Sequence, residues 1–161
     1  MGIIGNLNVS ASNSSKVNVV NNGHIQNSTF NTSTGSTTNV VNNGSMSNVT
    51  SNIDNYKWNS DGSYDYASGT TANIQNNGYM NNLNTNTYHG AVTNIGNSGY
   101  VNNANLQDTA DQTNVFNAGT FNNMNLSSTY GGGEFNINNL FGAINNFNAN
   151  LDNSSTLNLL T

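Results

Sequence analysis

Apolar positions in this chain fall on a grid that restarts about every 21 residues. With Gly99 set as zero, Asn94 lies at −5, Ile95 at −4, Asn97 at −2, Val101 at +2, Asn103 at +4 and Leu106 at +7. The same grid fits Gly23, Gly44, Gly78 and Gly119, fits Gly142 with one residue slipped, and fits the half of it that follows Gly2. Position −4 holds Val19, Val40, Ile74, Ile95, Val115 and Ile137, and position +2 holds Ile4, Ile25, Met46, Met80, Val101, Phe121 and Ile144. Positions −4, −2, 0 and +2 share a parity, so they face one way on an extended strand. The parity then breaks, because +5 (Leu7, Ser28, Val49, Leu83, Ala104, Met124, Phe147) and +7 (Val9, Phe30, Leu106, Leu126) read as pointing inward again. A break between +2 and +5 predicts a corner, and a fixed period with corners predicts stacked coils.

The polar columns are as regular. Asparagine occupies −5 (Asn18, Asn39, Asn73, Asn94, Asn114), −2 (Asn21, Asn42, Asn76, Asn97, Asn117) and +4 (Asn27, Asn48, Asn82, Asn103, Asn123). Stacked coil on coil, such residues are expected to form carboxamide ladders. At +4 asparagine also suits a bend, since it tolerates left-handed backbone and bonds its own main chain. The predicted fold is therefore all-β: a single-domain β-solenoid (parallel β-helix) over residues 1–161, of about seven coils with a repeat near 21 residues. The interval from Gly44 to Gly78 is 34 residues, so one insertion loop is expected around 51–70.

Composition changes the picture in three ways. Apolar residues are only 34% and charged residues 6%, too few for an ordinary globule but enough for coils that lend each other backbone hydrogen bonds. Proline is absent, as a chain of parallel ladders requires. The net charge is −5 with no arginine, which argues against nucleic acid as a partner, and no apolar run is long enough for membrane insertion as a helix. There is no cysteine, and Met1 to Ser10 shows neither the basic head nor the continuous apolar run of a signal peptide.

Candidate chemistry is sparse. His24 sits in the outward +1 column and His89 in a connection, without metal spacing, so no cofactor or metal is expected. Asp54, Asp61 and Asp65 are the one conceivable carboxylate group; Asp108 and Asp111 read as a solvated turn, and Tyr130-Gly131-Gly132-Gly133 as a flexible link. Thr37, Thr38, Thr70, Thr71, Thr93 and Thr113 suggest a threonine array of the ice-binding kind, but the column is impure. No enzyme is expected. The insertion holds the candidate contact loop, Tyr56, Trp58, Tyr64 and Tyr66, where rings beside acids suit a sugar face or a subunit contact.

The unit Asn42-Asn43-Gly44-Ser45-Met46-Ser47-Asn48 resembles the repeats of secreted bacterial adhesins and autotransporter passengers. The near-21 step, lack of proline and Asn/Gly columns look more like curli-type matrix amyloid subunits. That resemblance implies a secreted structural subunit of an extracellular amyloid-like fibre, in a biofilm matrix or surface layer. The partner expected is the chain itself: Gly2 opens mid-coil and Leu157-Asn158-Leu159-Leu160 begins a strand, so a neighbour would complete a half coil at each end. The alternative is an adhesin or carbohydrate-binding β-solenoid module, with polysaccharide as partner, using the aromatic insertion 51–70.

Overall fold

The computed structural model describes residues 2–161, with the side chain of Trp58 outside that description. In chain order the strands are β1 (Ile3–Ala11), β2 (Lys16–Asn21), β3 (His24–Ser33), β4 (Thr37–Asn42), β5 (Ser45–Asp54), β6 (Tyr56–Trp58), β7 (Tyr64–Tyr66), β8 (Thr71–Asn76), β9 (Tyr79–Tyr88), β10 (Val92–Asn97), β11 (Tyr100–Thr109), β12 (Gln112–Asn117), β13 (Thr120–Ser128), β14 (Glu134–Asn138), β15 (Ala143–Asn150) and β16 (Thr156–Leu160). Long strands form one seven-stranded sheet, β1-β3-β5-β9-β11-β13-β15, and short strands another, β2-β4-β8-β10-β12-β14-β16. Every pairing in both is parallel. The chain alternates between the sheets and is a β-solenoid of seven layers.

The grid is the register. Val40 pairs with Val19 and Ile74, Met46 with Ile25 and Met80, and Asn48 with Asn27 and Asn82. In each long strand the ladder skips +3, as where Ile4 pairs with Ile25 and Asn6 with Asn27 but the residues between them do not pair. The predicted corner is that interruption. Beyond it β9 buries Leu83, Thr85 and Thr87, the other parity from Met80. The main apolar core fills the space between the sheets, with Phe30, Met46, Met80, Leu83, Leu106, Phe121, Met124, Phe135 and Ile137 almost fully buried, and Ile53, Ala72 and Ala91 form a small second cluster.

Three expectations are corrected. No +4 asparagine has a positive φ; the left-handed residues are Asn13, Ser14, Thr34, His89, Ala110, Tyr130 and Ser154, in the connections from long to short strand. The bend at +3 lies within extended backbone, so the +4 side chains are free to bond along the stack. The segment Tyr130-Gly131-Gly132 is one of these tight turns, with positive φ at all three residues, and Gly133 behind it is buried. Finally, the stack has seven strands in each sheet: β1 with β2, and β15 with β16, make whole end layers in place of half coils.

The glycine column has a steric cause. A Cβ at Gly44, Gly78, Gly99 or Gly119 would lie 2.1 Å from the carbonyl oxygen of the anchoring glycine one layer below, and at Gly23 2.3 Å. No other residue fits so close an approach.

Candidate functional site

The side-chain ladders run the length of the solenoid. At −2 each Nδ2 donates to the Oδ1 of the layer above: Asn21 to Asn42 at 2.8 Å, Asn42 to Asn76 at 2.8 Å, Asn76 to Asn97 at 2.9 Å and Asn97 to Asn117 at 2.9 Å. Asn42 and Asn117 are fully buried there, and second bonds to main-chain carbonyls, such as Asn42 to Tyr79 at 3.0 Å, satisfy the amides. At −5 and +4 the direction reverses. Asn39 donates to Asn18, Asn73 to Asn39, Asn94 to Asn73 and Asn114 to Asn94; Asn48 donates to Asn27, Asn82 to Asn48, Asn103 to Asn82 and Asn123 to Asn103. All three predicted ladders are present. Further rows form at −1 (Asn43 to Asn22, Asn77 to Asn43) and +6 (Asn105 to Asn84, Asn125 to Asn105), which the three-column reading left out.

In the +4 and −5 columns the two end layers are complementary. At one end Asn6 and Asn18 accept from the layer above, and their own amide groups have no acceptor among the described residues. At the other end Asn146 and Asn158 donate downward, and their Oδ1 atoms receive no bond among the described residues. Among the described residues β1 and β2 on one end, and β15 and β16 on the other, also have an unpaired edge. Apolar side chains of inward-facing columns are exposed at both ends: Ile4 below and Leu159 above. A Cβ at Gly2 would meet nothing within 4 Å, although every glycine above it in the column is crowded by a carbonyl.

The insertion is an antiparallel hairpin, β6 with β7, whose rings gather on a residue from another layer. Tyr56 packs edge-on against His89 with centroids 3.8 Å apart, Tyr64 meets Tyr56 at 4.8 Å, and Tyr66 stacks on Tyr56 at 5.6 Å. Loss of hydration first, then the neighbouring Tyr64 and Tyr66, raises the Tyr56 phenol above its ordinary value. His89 Nδ1 lies 2.9 Å from Asp54 Oδ1. Tyr66, His89, Asn55, Gly90 and Ala110 line an open hollow of about 300 Å³. The structure thus brings together Tyr56, Tyr64 and Tyr66 from the predicted contact loop, and adds His89. The side chain of Trp58 lies outside the described residues. Of the three acids, Asp54 bonds His89, while Asp61 and Asp65 are linked through Ser63 and Asn59, whose amide donates to both the Ser63 hydroxyl and Asp65. The hydroxyl and main-chain N–H of Ser63 hold the Asp61 carboxyl below its usual range.

The tip of the turn Asp108 to Asp111 is exposed at Ala110, but its two acids are not solvated. Asp108 is 0% exposed and Asp111 6%, and neither oxygen of Asp108 nor Oδ2 of Asp111 has a hydrogen-bond partner among the described residues. Thr113 lies close to Asp108 but outside hydrogen-bond geometry. Burial, and then the Asp111 carboxylate, push Asp108 up to about 7. Burial pushes Asp111 up to about 6 against the bond it accepts from Gly90 N–H. Threonines are buried in the same corner: Thr32 bonds Thr38 at 2.7 Å, Thr87 and Thr93 share a bond at 2.8 Å, and Thr70 and Thr113 are enclosed. A surface threonine array is therefore excluded, since Thr38, Thr70, Thr93 and Thr113 face inward. No family model, curated protein or solved structure matches the chain.

Proposed function

We propose that the protein is a secreted structural subunit that stacks head to tail, with β15 and β16 of one copy beneath β1 and β2 of the next, into an amyloid-like fibre. The observation that carries this reading is the self-matching register: each layer sets glycine on the carbonyl of a glycine and asparagine on asparagine, so a layer of one copy can receive a layer of another. Gly2 lacks the crowding that explains every glycine above it, and a layer placed beneath β1 would supply that crowding through the carbonyl at Gly142. The ladder ends support the same polarity: amide donors at Asn6 and Asn18 meet carbonyl acceptors at Asn146 and Asn158. Open parallel edges template further strands, and the join is heterologous and does not close. Each subunit would add roughly 35 Å to the fibre, at about 4.8 Å per layer. The pattern likeness to curli-type subunits supports the extracellular setting, in a biofilm matrix or surface layer.

The test is Gly2→Ala, examined by negative-stain microscopy and fibre diffraction beside the unaltered chain. The unaltered chain should form fibres with a cross-strand reflection near 4.8 Å. The variant should fold with unchanged stability yet assemble poorly. A monomeric unaltered chain, or a variant that polymerises as readily, overturns the reading.

A second reading is supported by the ring cluster: Tyr66, 63% exposed, lines the hollow at His89, Tyr64, 51% exposed, packs against it, and the two rings could stack against a sugar face. Retention of the chain on insoluble polysaccharide, lost in Tyr64→Ala/Tyr66→Ala, would favour an adhesin or carbohydrate-binding module. Equal retention of both proteins would dismiss it.

A further inference from the structure

The outer face of the short-strand sheet is built from three columns in register. One is the −5 asparagine ladder. Beside it runs the column Val20, Val41, Gln75, Gly96, Phe116, Asn138 and Leu160, and on the other side the column that starts at Lys16 and passes through Glu134. Those two residues are the only charged ones on this face, and they have opposite signs, so the face is neutral on a chain whose net charge is −5. Val20 and Phe116 are 60% and 49% exposed, and an open groove of about 660 Å³ runs along Val41, Phe116 and the asparagines.

We propose that this face is a lateral interface between two copies of the chain, running in opposite directions and related by a two-fold axis parallel to the strands. Place that axis between β8 and β10, the third and fourth layers. Each column then faces itself with its order reversed. The first layer meets the sixth, which sets Lys16 against Glu134 twice. The second meets the fifth, which sets Val41 against Phe116 twice. At the centre Gln75 lies flat across Gly96, where a Cβ would sit 2.1 Å from its Oε1, so no side chain props the two faces apart. Lys16 has no acid partner within its own chain among the described residues. Among the described residues Glu134 accepts only amide donors, from Gln112 at 3.2 Å and Asn136 at 3.0 Å. Six overlapping layers of about 4.8 Å, with strands of about 20 Å, bury roughly 600 Å² per copy, enough for a specific if modest interface. Interleaved asparagine and apolar columns are the chemistry of a dry sheet-to-sheet contact. The pairing uses the side of the solenoid and is independent of stacking through its ends.

Charge reversal tests it. In the Gly2→Ala background, which suppresses end stacking, sedimentation equilibrium should find a dimer. Lys16→Glu or Glu134→Lys alone should weaken it at least tenfold, and the two together should restore it. Phe116→Ser should weaken it with the charges intact. Circular dichroism matching the parent keeps each variant interpretable. A monomeric parent overturns the proposal, as does a dimer indifferent to both reversals or a double reversal that fails to restore pairing. If end stacking is wrong but lateral pairing right, the unaltered chain stops at the charge-sensitive dimer and forms no fibre.

Discussion

A single methylene or amide decides whether two layers can lie together. At Gly99 a Cβ would be 2.1 Å from the carbonyl of Gly78, and main chain cannot give way without parting the sheet. Gly99→Ala should therefore cost about 3 kcal/mol or more in urea unfolding, while Gly2→Ala costs nothing measurable in the monomer. The ladders rank by burial in the same way. Asn97 is 1% exposed and links Asn76 to Asn117, so Asn97→Ala strands buried amide atoms and should cost about 1–3 kcal/mol. Asn103 makes the same two bonds on a wetter corner, and its replacement by Ala should cost under about 1 kcal/mol, since water takes over the lost partners. Equal losses at both positions would mean that ladder continuity, not burial, sets the energy.

At the scale of elements, the periodic columns were legible because one rule acts on every layer: a residue must tolerate a copy of itself about 4.8 Å above and below. That rule leaves β-branched residues, asparagine and glycine, and they mark Val40, Asn42 and Gly44 as plainly as Ile95, Asn97 and Gly99. What could not be read is what happens once per chain. Nothing in local spacing tells that His89 reaches Asp54 and Tyr56, because those residues are about 35 apart and meet only through the stack. Asp108 misled for a related reason. It stands one layer above Thr87 and one below Ser128, in an inward column that also holds Thr32 and Ile53 and so keeps no single residue type by which an acid could be recognised as buried. The hairpin is the other unrepeated element, and it adds little to the core. Its stem is closed by Asn55 and Thr70, whose side chains bond at 2.5 Å. Excising residues 56–69 and joining Asn55 to Thr70 by a short turn should keep the solenoid spectrum and change stability by no more than roughly 1 kcal/mol, because the shorter loop is easier to close. Loss of the fold on excision would make the hairpin part of the scaffold.

For the molecule as a whole, the buried acids tie stability to pH. Asp108 prefers its acid form up to about 7 in the fold and Asp111 up to about 6, whereas a free aspartate ionises near 3.8. Between those limits the folded chain holds more protons than the unfolded one, so stability falls as pH rises. It is highest where both acids are neutral, declines from about pH 4 to 7, and then levels off. For Asp108 alone the whole decline is at most roughly 4 kcal/mol. Asp152 works in the opposite sense: the hydroxyls of Ser155 and Ser128 hold its carboxyl below the usual range, so its contribution is lost as the solution becomes more acid than about pH 4. Together they place the optimum on the acid side of neutrality, near the sequence pI of about 4.3, where repulsion between copies of a −5 chain also fades. Chemical denaturation across pH 4 to 8 should show the midpoint falling with pH. Asp108→Asn, which keeps the shape and removes the charge, should raise the midpoint at pH 8 and flatten the profile. A variant less stable than the parent at pH 8 would mean that the ionised carboxylate makes a stabilising contact within the fold, and that burial does not set its proton affinity.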